Sequence, residues 1–519
     1  MFGLLLHNVN YTSNSIKRVS MQPKTLFRTS LILVAATAAY KVLGFAEKVA
    51  LAHFFGTSTT ADAYLAGAAV VLLMGFLLGD IAGPTLVPMI LHDQTNSPRT
   101  LRASLGLVSL AAIPLTGLGW LYAAQLARLF GPGFDQPTLL MTTTIIRIGL
   151  LAFPVMCFTA VLGAWYQAFE QFTRPALADL MLKLAPVIAL IATGSVYGLA
   201  WGLVVGAVLR LIPLLQADVP WLPSWRWRGA RLTTVLQHAY PLLLTSLVSV
   251  HLISVIENAI ASTVGAGAVA AQTYARRIVE VPIILLPQVL GRVLFPVLTG
   301  LVLQRNYQAL QQWLARCWRW SLLLTLPLMV LGMVLCQQIV ALLLQRGAFD
   351  QQSVQLTSTA LWAALPGLPA LALSTLLIRF SYAMGDTRWP SVMRVLGALL
   401  QIGLALWWRR WGLAGLGWAT TVSLWAETLA LAWLAQKTVQ QPIKLDWRFI
   451  WQVLAASSAA GGLAWWVIQS WQPSSPSSLL LSLTSASVLG LIGFMVSLAL
   501  GRNVEIGLLW QRWQQGKIQ

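Results

Sequence analysis

Fifteen ionisable side chains lie within or beside the long apolar runs of this 519-residue chain, and their types limit what chemistry it can perform. The cations are Lys41, Lys48, Arg147, Lys183, Arg210, Arg276, Arg277, Arg292 and Arg379; the acids are Glu47, Asp62, Asp80, Glu257, Glu280 and Glu427. A charge at the centre of a lipid-facing helix costs about 2.5–3.5 kcal/mol, so those at depth must face a cavity or a partner. Arg147, Arg210 and Arg292 stand close enough to the expected span ends to snorkel to the interface. Lys41 and Lys48 are seven residues apart and share a helix face, with Lys41 deep enough to serve a cavity. Glu47 and Lys48 are adjacent, point about 100° apart on a helix, and are not expected to pair. Arg276, Arg277 and Glu280 form the densest group. At i,i+4 and i,i+3 spacing, Glu280 can neutralise one guanidinium and leave the other for a ligand; the alternative is a purely structural ion pair. Pro282 and Pro287 are expected to bend the same helix. A surplus of fixed cations, two of them guanidiniums capable of bidentate bonds, selects phosphate or carboxylate over cationic drugs.

Bond-making chemistry has no comparable support. The chain lacks His-Glu-x-x-His, Asp-x-Asp and a glycine-rich phosphate cradle, and His7, His53, His92, His238 and His251 are scattered. His251, in mid-span, reads as a helix–helix hydrogen-bonding residue. Cys157, Cys317 and Cys336 are too far apart for a metal knuckle and form no disulfide framework. The expectation is therefore a transporter, with no catalytic residue and no resident metal or cofactor.

The elements that must position these charges are membrane spans. Hydrophobic residues make up 57% of the chain and charged residues 9%, too little polarity to clothe a soluble surface. Apolar runs long enough to cross a bilayer fall near 27–52, 63–90, 103–127, 138–165, 176–194, 197–216, 234–260, 275–303, 318–345, 355–383, 391–408, 412–435, 449–470 and 478–500, about fourteen helices in all. The net charge of +19 does not gather on one aromatic-studded face as nucleic-acid binding would need. Instead 21 cations lie at the termini and even-numbered links and four (Arg128, Arg346, Arg409, Arg410) on the odd ones, which puts both termini in the cytoplasm. Phe2 to Leu6 is too short an apolar stretch for a secretory signal, and Met21 is a second candidate start.

The chain also repeats itself. Glu47 and Tyr64 recur 210 residues on as Glu257 and Tyr274. Gly133-Phe134-Asp135-Gln136 is answered by Ala348-Phe349-Asp350-Gln351, Thr173-Arg174-Pro175 by Thr387-Arg388-Trp389-Pro390, and Gly198-Leu199-Ala200 by Gly412-Leu413-Ala414. Because each unit holds six spans, the copies enter the membrane in the same orientation, and such parallel repeats suit lobes that rock about a central site. The expected organisation is a tail (1–26), an N-lobe (27–216), a basic linker (217–233), a C-lobe (234–435), two added helices able to hold a lipid tail (436–500) and a second tail (501–519).

Several ordered blocks resemble the MurJ/MviN family of lipid II flippases. They include Tyr40-Lys41-Val42-Leu43-Gly44-Phe45-Ala46, Phe54-Phe55-Gly56, Thr60-Ala61-Asp62-Ala63-Tyr64, Val87-Pro88 and Gly131-Pro132-Gly133-Phe134. Tyr274-Ala275-Arg276-Arg277-Ile278-Val279-Glu280-Val281-Pro282, Gln345-Arg346-Gly347-Ala348-Phe349 and Tyr382-Ala383-Met384-Gly385-Asp386-Thr387-Arg388 follow in the same order. The resemblance spans roughly 25–500 and implies the two-lobed fold of the multidrug/oligosaccharidyl-lipid/polysaccharide exporters, with a cationic cavity for a lipid pyrophosphate. It carries the family's first-helix arginine onto Lys41, its eighth-helix arginine onto Arg277 with Glu280 downstream, and its loop aspartate onto Asp62. A second first-helix arginine falls on Glu47, a charge reversal partly offset by Lys48, and a second-helix arginine falls near Gly75. The acid of a sodium site proposed for some members falls on Glu257, while its eleventh-span asparagine falls among apolar residues near Gly403-Leu404.

The expectation is thus an inner-membrane flippase for lipid II. Lys41, Arg276 and Arg277 would bind the pyrophosphate, with Glu280, Asp62, Lys48 and Glu47 supporting or gating. Glu257 would serve cation coupling by sodium or protons, with the membrane potential as the other drive. Expected partners are the lipid-linked saccharide, the bilayer and cell-wall synthesis proteins. A flippase for another polysaccharide-lipid, a drug/cation antiporter, and a transport-dead scaffold binding a partner through 217–233 and 304–319 remain open.

Overall fold

The computed structural model describes residues 23–92, 97–216, 219–225, 250–285, 300–302, 304, 307–386, 388–439, 447–471 and 476–500. Both tails up to residue 22 and from 501, most of the basic linker, Arg292 and Pro287 lie outside them, as do the side chains of Asp80, His251 and Pro282. Among the described residues the regular structure is helical: α1 (Pro23–Phe55), α2 (Thr59–His92), α3 (Ser97–Leu121), α4 (Ala123–Phe130), α5 (Gln136–Leu150), α6 (Phe153–Ala168), α7 (Thr173–Thr193), α8 (Val196–Leu209), α9 (Val250–Ser262), α10 (Ala268–Leu285), α11 (Tyr307–Val334), α12 (Cys336–Leu344), α13 (Gln351–Ala364), α14 (Leu368–Ala383), α15 (Arg388–Trp408), α16 (Gly412–Val439), α17 (Trp447–Ser470) and α18 (Pro476–Leu500). Six helical stretches among these residues are long and apolar enough to cross a bilayer, two of them running through α13–α14 and α15–α16, or seven if the pair α5–α6, bent by 41°, counts as one span. Large apolar side chains such as Leu140, Ile191, Trp466 and Ile492 are exposed on the outside, as a hydrocarbon-facing surface allows.

The two halves break their helices at matching places. The third expected span divides at Tyr122 into α3 and α4, and the ninth divides at Leu335, 213 residues later, into α11 and α12. The fourth is interrupted at Leu151–Ala152 and the tenth at the 3-10 turn Leu365–Gly367. Capping repeats as well. Asp135 accepts the Thr138 N–H at 3.3 Å to start α5, and its counterpart Asp350 accepts the Ser353 N–H at 2.8 Å to start α13. The bonds from Ser353 hold the Asp350 carboxyl below the usual carboxylate range. The aspartates recur because a carboxylate at an N-cap satisfies otherwise orphaned amides and meets the positive end of the helix.

Small residues set the packing. On α8, Gly198, Gly202 and Gly206 recur at four-residue spacing against α7, and a Cβ at Gly202 would lie 2.6 Å from the Pro186 Cα. That approach replaces the hydrophobic drive which lipid cannot supply between helices. Helices α17 and α18 pack on each other and on α11, around Val453, Ala460, Phe494 and Leu498.

Cross-lobe hydrogen bonds gather at one end, where the links after α1, α4, α9 and α12 meet. Ala348 N–H donates to the His53 carbonyl at 2.8 Å, Gly133 N–H to Ser262 Oγ at 3.1 Å, and the Tyr274 hydroxyl to the Gly56 carbonyl at 3.1 Å. The hydroxyls of Thr57 and Ser353 are 2.9 Å apart. A buried apolar cluster including Leu51, Tyr64, Ala261, Tyr274 and Phe349 draws on both lobes beside this closure.

Candidate functional site

The centre of the site is a buried carboxylate between two ammonium groups. Glu47 on α1 is 4% exposed; its Oε1 is 2.6 Å from Lys48 Nζ and its Oε2 is 3.4 Å from Lys183 Nζ on α7. The Tyr64 hydroxyl donates to Oε1 at 3.5 Å, while Lys48 lies over the Tyr64 ring and Lys183 over the Tyr40 ring, each 5.7 Å from the centroid. The expectation that Glu47 and Lys48 cannot pair is therefore corrected. The backbone directs their Cβ atoms apart, but the four-carbon lysine stem curls back once Glu47 is buried and must be neutralised. Arg277 on α10, in the opposite lobe, is close enough to act electrostatically on Glu47, Lys48 and Lys183. Its guanidinium meets Glu280 at 2.7 Å with both side chains partly exposed. Counting Lys48, Lys183 and Arg277 against Glu47 and Glu280, the cluster keeps an uncompensated positive charge shared between the lobes. Lys41 is half-buried, two turns from Lys48, and makes no ion pair among the described residues.

A second charged node lies on the C-lobe. Arg276 meets Glu257 of α9 at 2.7 Å, so it neither pairs with Glu280 nor remains free for a ligand, as its spacing had suggested. Sequence spacing sees only partners on the same helix, and the nearer acid came from a neighbouring one. The Gln401 amide on α15 also donates to Glu257 and stands 3.2 Å from Thr420 Oγ1 on α16. The eleventh-span residue that reaches Glu257 is thus Gln401, just before the apolar Gly403-Leu404. A cation would need lone pairs here. Glu257 instead receives N–H donors from Arg276 and Gln401, so in this structure a guanidinium stands where a coupling cation would meet the carboxylate. Among the described residues no group of three His, Cys, Asp or Glu side chains converges to hold a metal.

Asp62 acts across the lobes. Its carboxylate accepts the Gly267 N–H and the Ala270 N–H, both at 2.7 Å, capping α10 from the start of α2. Gly267 has φ +78°, and a Cβ there would lie 2.1 Å from the Thr57 carbonyl oxygen, so only glycine lets the links approach this closely. The N-terminus of the helix carrying Arg276, Arg277 and Glu280 is therefore held by the other lobe.

Sequence reasoning missed two partnerships. Arg210 does not simply snorkel, because its Nη2 meets Asp179 Oδ1 at 2.7 Å. Lys183 was visible as an intramembrane cation, but nothing in its spacing tied it to Glu47, 136 residues away. Arg147 lies over the Trp120 ring at 4.9 Å, which supplies the favourable face its charge needs.

The comparisons agree with this architecture. The family model described as "Lipid II flippase MurJ" matches residues 51–485. The chain is 28% identical over 479 residues to the lipid II flippase MurJ of Burkholderia cenocepacia, covering 85% of this chain and 90% of that one. It is 24% identical over 467 residues to the probable lipid II flippase MurJ of Buchnera aphidicola subsp. Acyrthosiphon pisum, covering 84% and 88%. A solved lipid II flippase MurJ in an inward closed conformation superposes with a TM-score of 0.78 at 18% identity, over 91% of this chain and 99% of that one. An inward-facing multidrug resistance MATE transporter of the MOP superfamily superposes with a TM-score of 0.67 at 14% identity, over 77% and 94%. These last two likenesses establish the fold, a multi-pass, two-lobed helical bundle. The match across most of its length places the chain in the MurJ lipid II flippase family.

Proposed function

We propose that this chain carries lipid II across the bacterial inner membrane by alternating access, with both termini in the cytoplasm and no bond made or broken. The observation that carries the reading is the pairing of Lys48 and Lys183 of one lobe with the buried Glu47, with Arg277 of the other lobe near enough to act on the same carboxylate through space. Fixed cations shared between lobes suit a pyrophosphate that must be gripped in one arrangement and released in another. Lys41 extends the same face of α1 toward the terminal end. Arg276 is held by the buried Glu257 whereas Arg277 meets the more exposed Glu280, so the pyrophosphate role falls to Arg277 together with Lys48 and Lys183, which outnumber the one carboxylate they share, and Arg276 becomes a positioning residue. Family membership supports the cargo. In this orientation the odd-link end, sealed by Asp62 and its neighbours, faces outward and the cavity is approached from the cytoplasm. The membrane potential supplies about 2.3 kcal/mol per charge per 100 mV to a cationic cavity that changes access. Cell-wall synthesis proteins are the proposed protein partners, since they make and consume the cargo.

The test is rescue of a bacterium depleted of its own flippase, read as lipid II made accessible to an external cleaving enzyme. Expression of this chain restores accessibility, and Arg277→Ala abolishes it at equal membrane abundance. Failure of the well-inserted wild-type chain to restore accessibility would overturn the lipid II reading.

A further inference from the structure

A cavity of about 230 Å³ lies between α1, the end of α6 and the start of α7, with Thr37, Tyr40, Gln167, Phe172 and Asp179 in its wall. It is smaller than the roughly 300–1,000 Å³ of a site enclosing a whole drug-sized ligand, and so suits one ring of a larger one. Two residues join it to the cationic cluster. The Tyr40 ring in its wall faces Lys183 Nζ at 5.7 Å, and Asp179 lies four residues before Lys183, on the same face of α7.

The chemistry of this wall differs from that of the cluster. Asp179 Oδ1 accepts from Arg210 at 2.7 Å, while Oδ2 has no partner among the described residues. Beside it Arg210 Nε is buried with no hydrogen-bond partner among them. The Gln167 side chain likewise has no protein partner among the described residues and offers both a donor and an acceptor. Tyr40 and Phe172 add aromatic surface. A cationic guest is disfavoured because Arg210 and the nearby Lys183 already offset Asp179. A second phosphate is disfavoured by the carboxylate. A ring bearing several hydroxyl or amide groups meets the wall's features: the spare Asp179 acceptor, the donor and acceptor of the Gln167 amide, and aromatic faces for its C–H surfaces.

We infer that this cavity is a saccharide subsite, seating a sugar of the transported lipid while Lys48, Lys183 and Arg277 hold its pyrophosphate. The inference rests on the lipid-linked saccharide reading above.

The test uses the purified full-length chain in nanodiscs with two probes: lipid II, and undecaprenyl pyrophosphate, which has no sugar. The variants are Gln167→Leu, Phe172→Ala and Asp179→Asn. Gln167 is exposed, so its variant is informative even if loss of the Asp179–Arg210 pair harms folding. The expected result is a loss of lipid II affinity of about tenfold, the scale of one hydrogen bond to a charged or buried group, with undecaprenyl pyrophosphate bound as by the wild type. Equal weakening of both probes, or an unchanged preference for lipid II in all three variants, overturns the subsite while pyrophosphate binding stands. Wild-type protein that binds neither probe overturns the flippase reading and the subsite together.

Discussion

Lys183 Nζ stands 3.4 Å from Glu47 Oε2, so the carboxylate found where the family resemblance leads one to expect an α1 arginine is answered by a lysine from α7. With Lys48 at 2.6 Å on the other oxygen, the reversal costs the cluster less positive charge than α1 alone would suggest. A buried carboxylate between two ammonium groups also offsets their mutual repulsion in the free protein and competes with an anionic ligand for them.

This arrangement predicts opposite effects from its two halves. Lys183→Met leaves Glu47 to Lys48 alone and should lower lipid II affinity about tenfold, the order expected for one charge-assisted contact. Glu47→Gln removes the internal competitor and should raise affinity by a similar factor while slowing release. Direct binding and flipping assays on both variants and the double variant check this. Strictly additive effects would show that the two residues do not share a site.

Asp62 predicts a conformational effect. Its two bonds to the amides opening α10 tie the lobes at the odd-link end, and Asn supplies one acceptor oxygen and no charge in its place. Asp62→Asn should cost about 1–3 kcal/mol of that closure, a shift of at least about fivefold toward separation of this end. Spin labels at Leu129 and Gln345, exposed positions near that end, should report a longer distance population in the variant. Gly267→Ala, which places a methyl against the Thr57 carbonyl, should do the same without touching a charge. Unchanged distance distributions in both would sink the gate assignment.

The capping aspartate Asp350 predicts a pH effect on stability. Bonds from Ser353 lower its carboxyl pKa in the fold, so its contribution is present at neutral pH and is lost as pH falls through the depressed folded value. Asn caps a helix about as well without titrating. Asp350→Asn should therefore match the wild type at pH 7 and gain on it as pH falls below about 4, in thermal melts of detergent-solubilised protein. Asp350→Ala should lose about 0.5–2 kcal/mol at neutral pH.

Much of this was legible in the sequence because it is periodic or local. The Asp135 and Asp350 caps and the Glu47/Glu257 repeat lie at fixed offsets, and the structure gives both members of each pair comparable work. In each lobe the glutamate of the first helix reaches the fifth: Glu47 to Lys183 on α7, Glu257 to Gln401 on α15. The partners themselves were not legible, because Gln401 sits about one turn from the position matching Lys183 and differs in type. Spacing rules identify neighbours on one helix, so they suggested Arg276 with Glu280 and could not see Glu257. The same limit hid Asp179 from Arg210, 31 residues away.

The Arg276–Glu257 pair carries the last prediction. Glu257 is 7% exposed, and removing Arg276 alone would leave its charge facing only Gln401 and force the site to find another cation or a proton. Arg276→Gln should therefore destabilise the protein more than the double variant Arg276→Gln/Glu257→Gln, whose amides can satisfy one another. Wild-type flipping in proteoliposomes should be unaffected when sodium is replaced by potassium at constant membrane potential, because the guanidinium already occupies the carboxylate. Arg276→Gln should acquire a dependence on sodium or pH, since a mobile cation can then take the vacated place. Sodium dependence in the wild type that disappears in Glu257→Gln would show instead that Arg276 leaves the carboxylate during transport, and the tethered-cation reading would be abandoned.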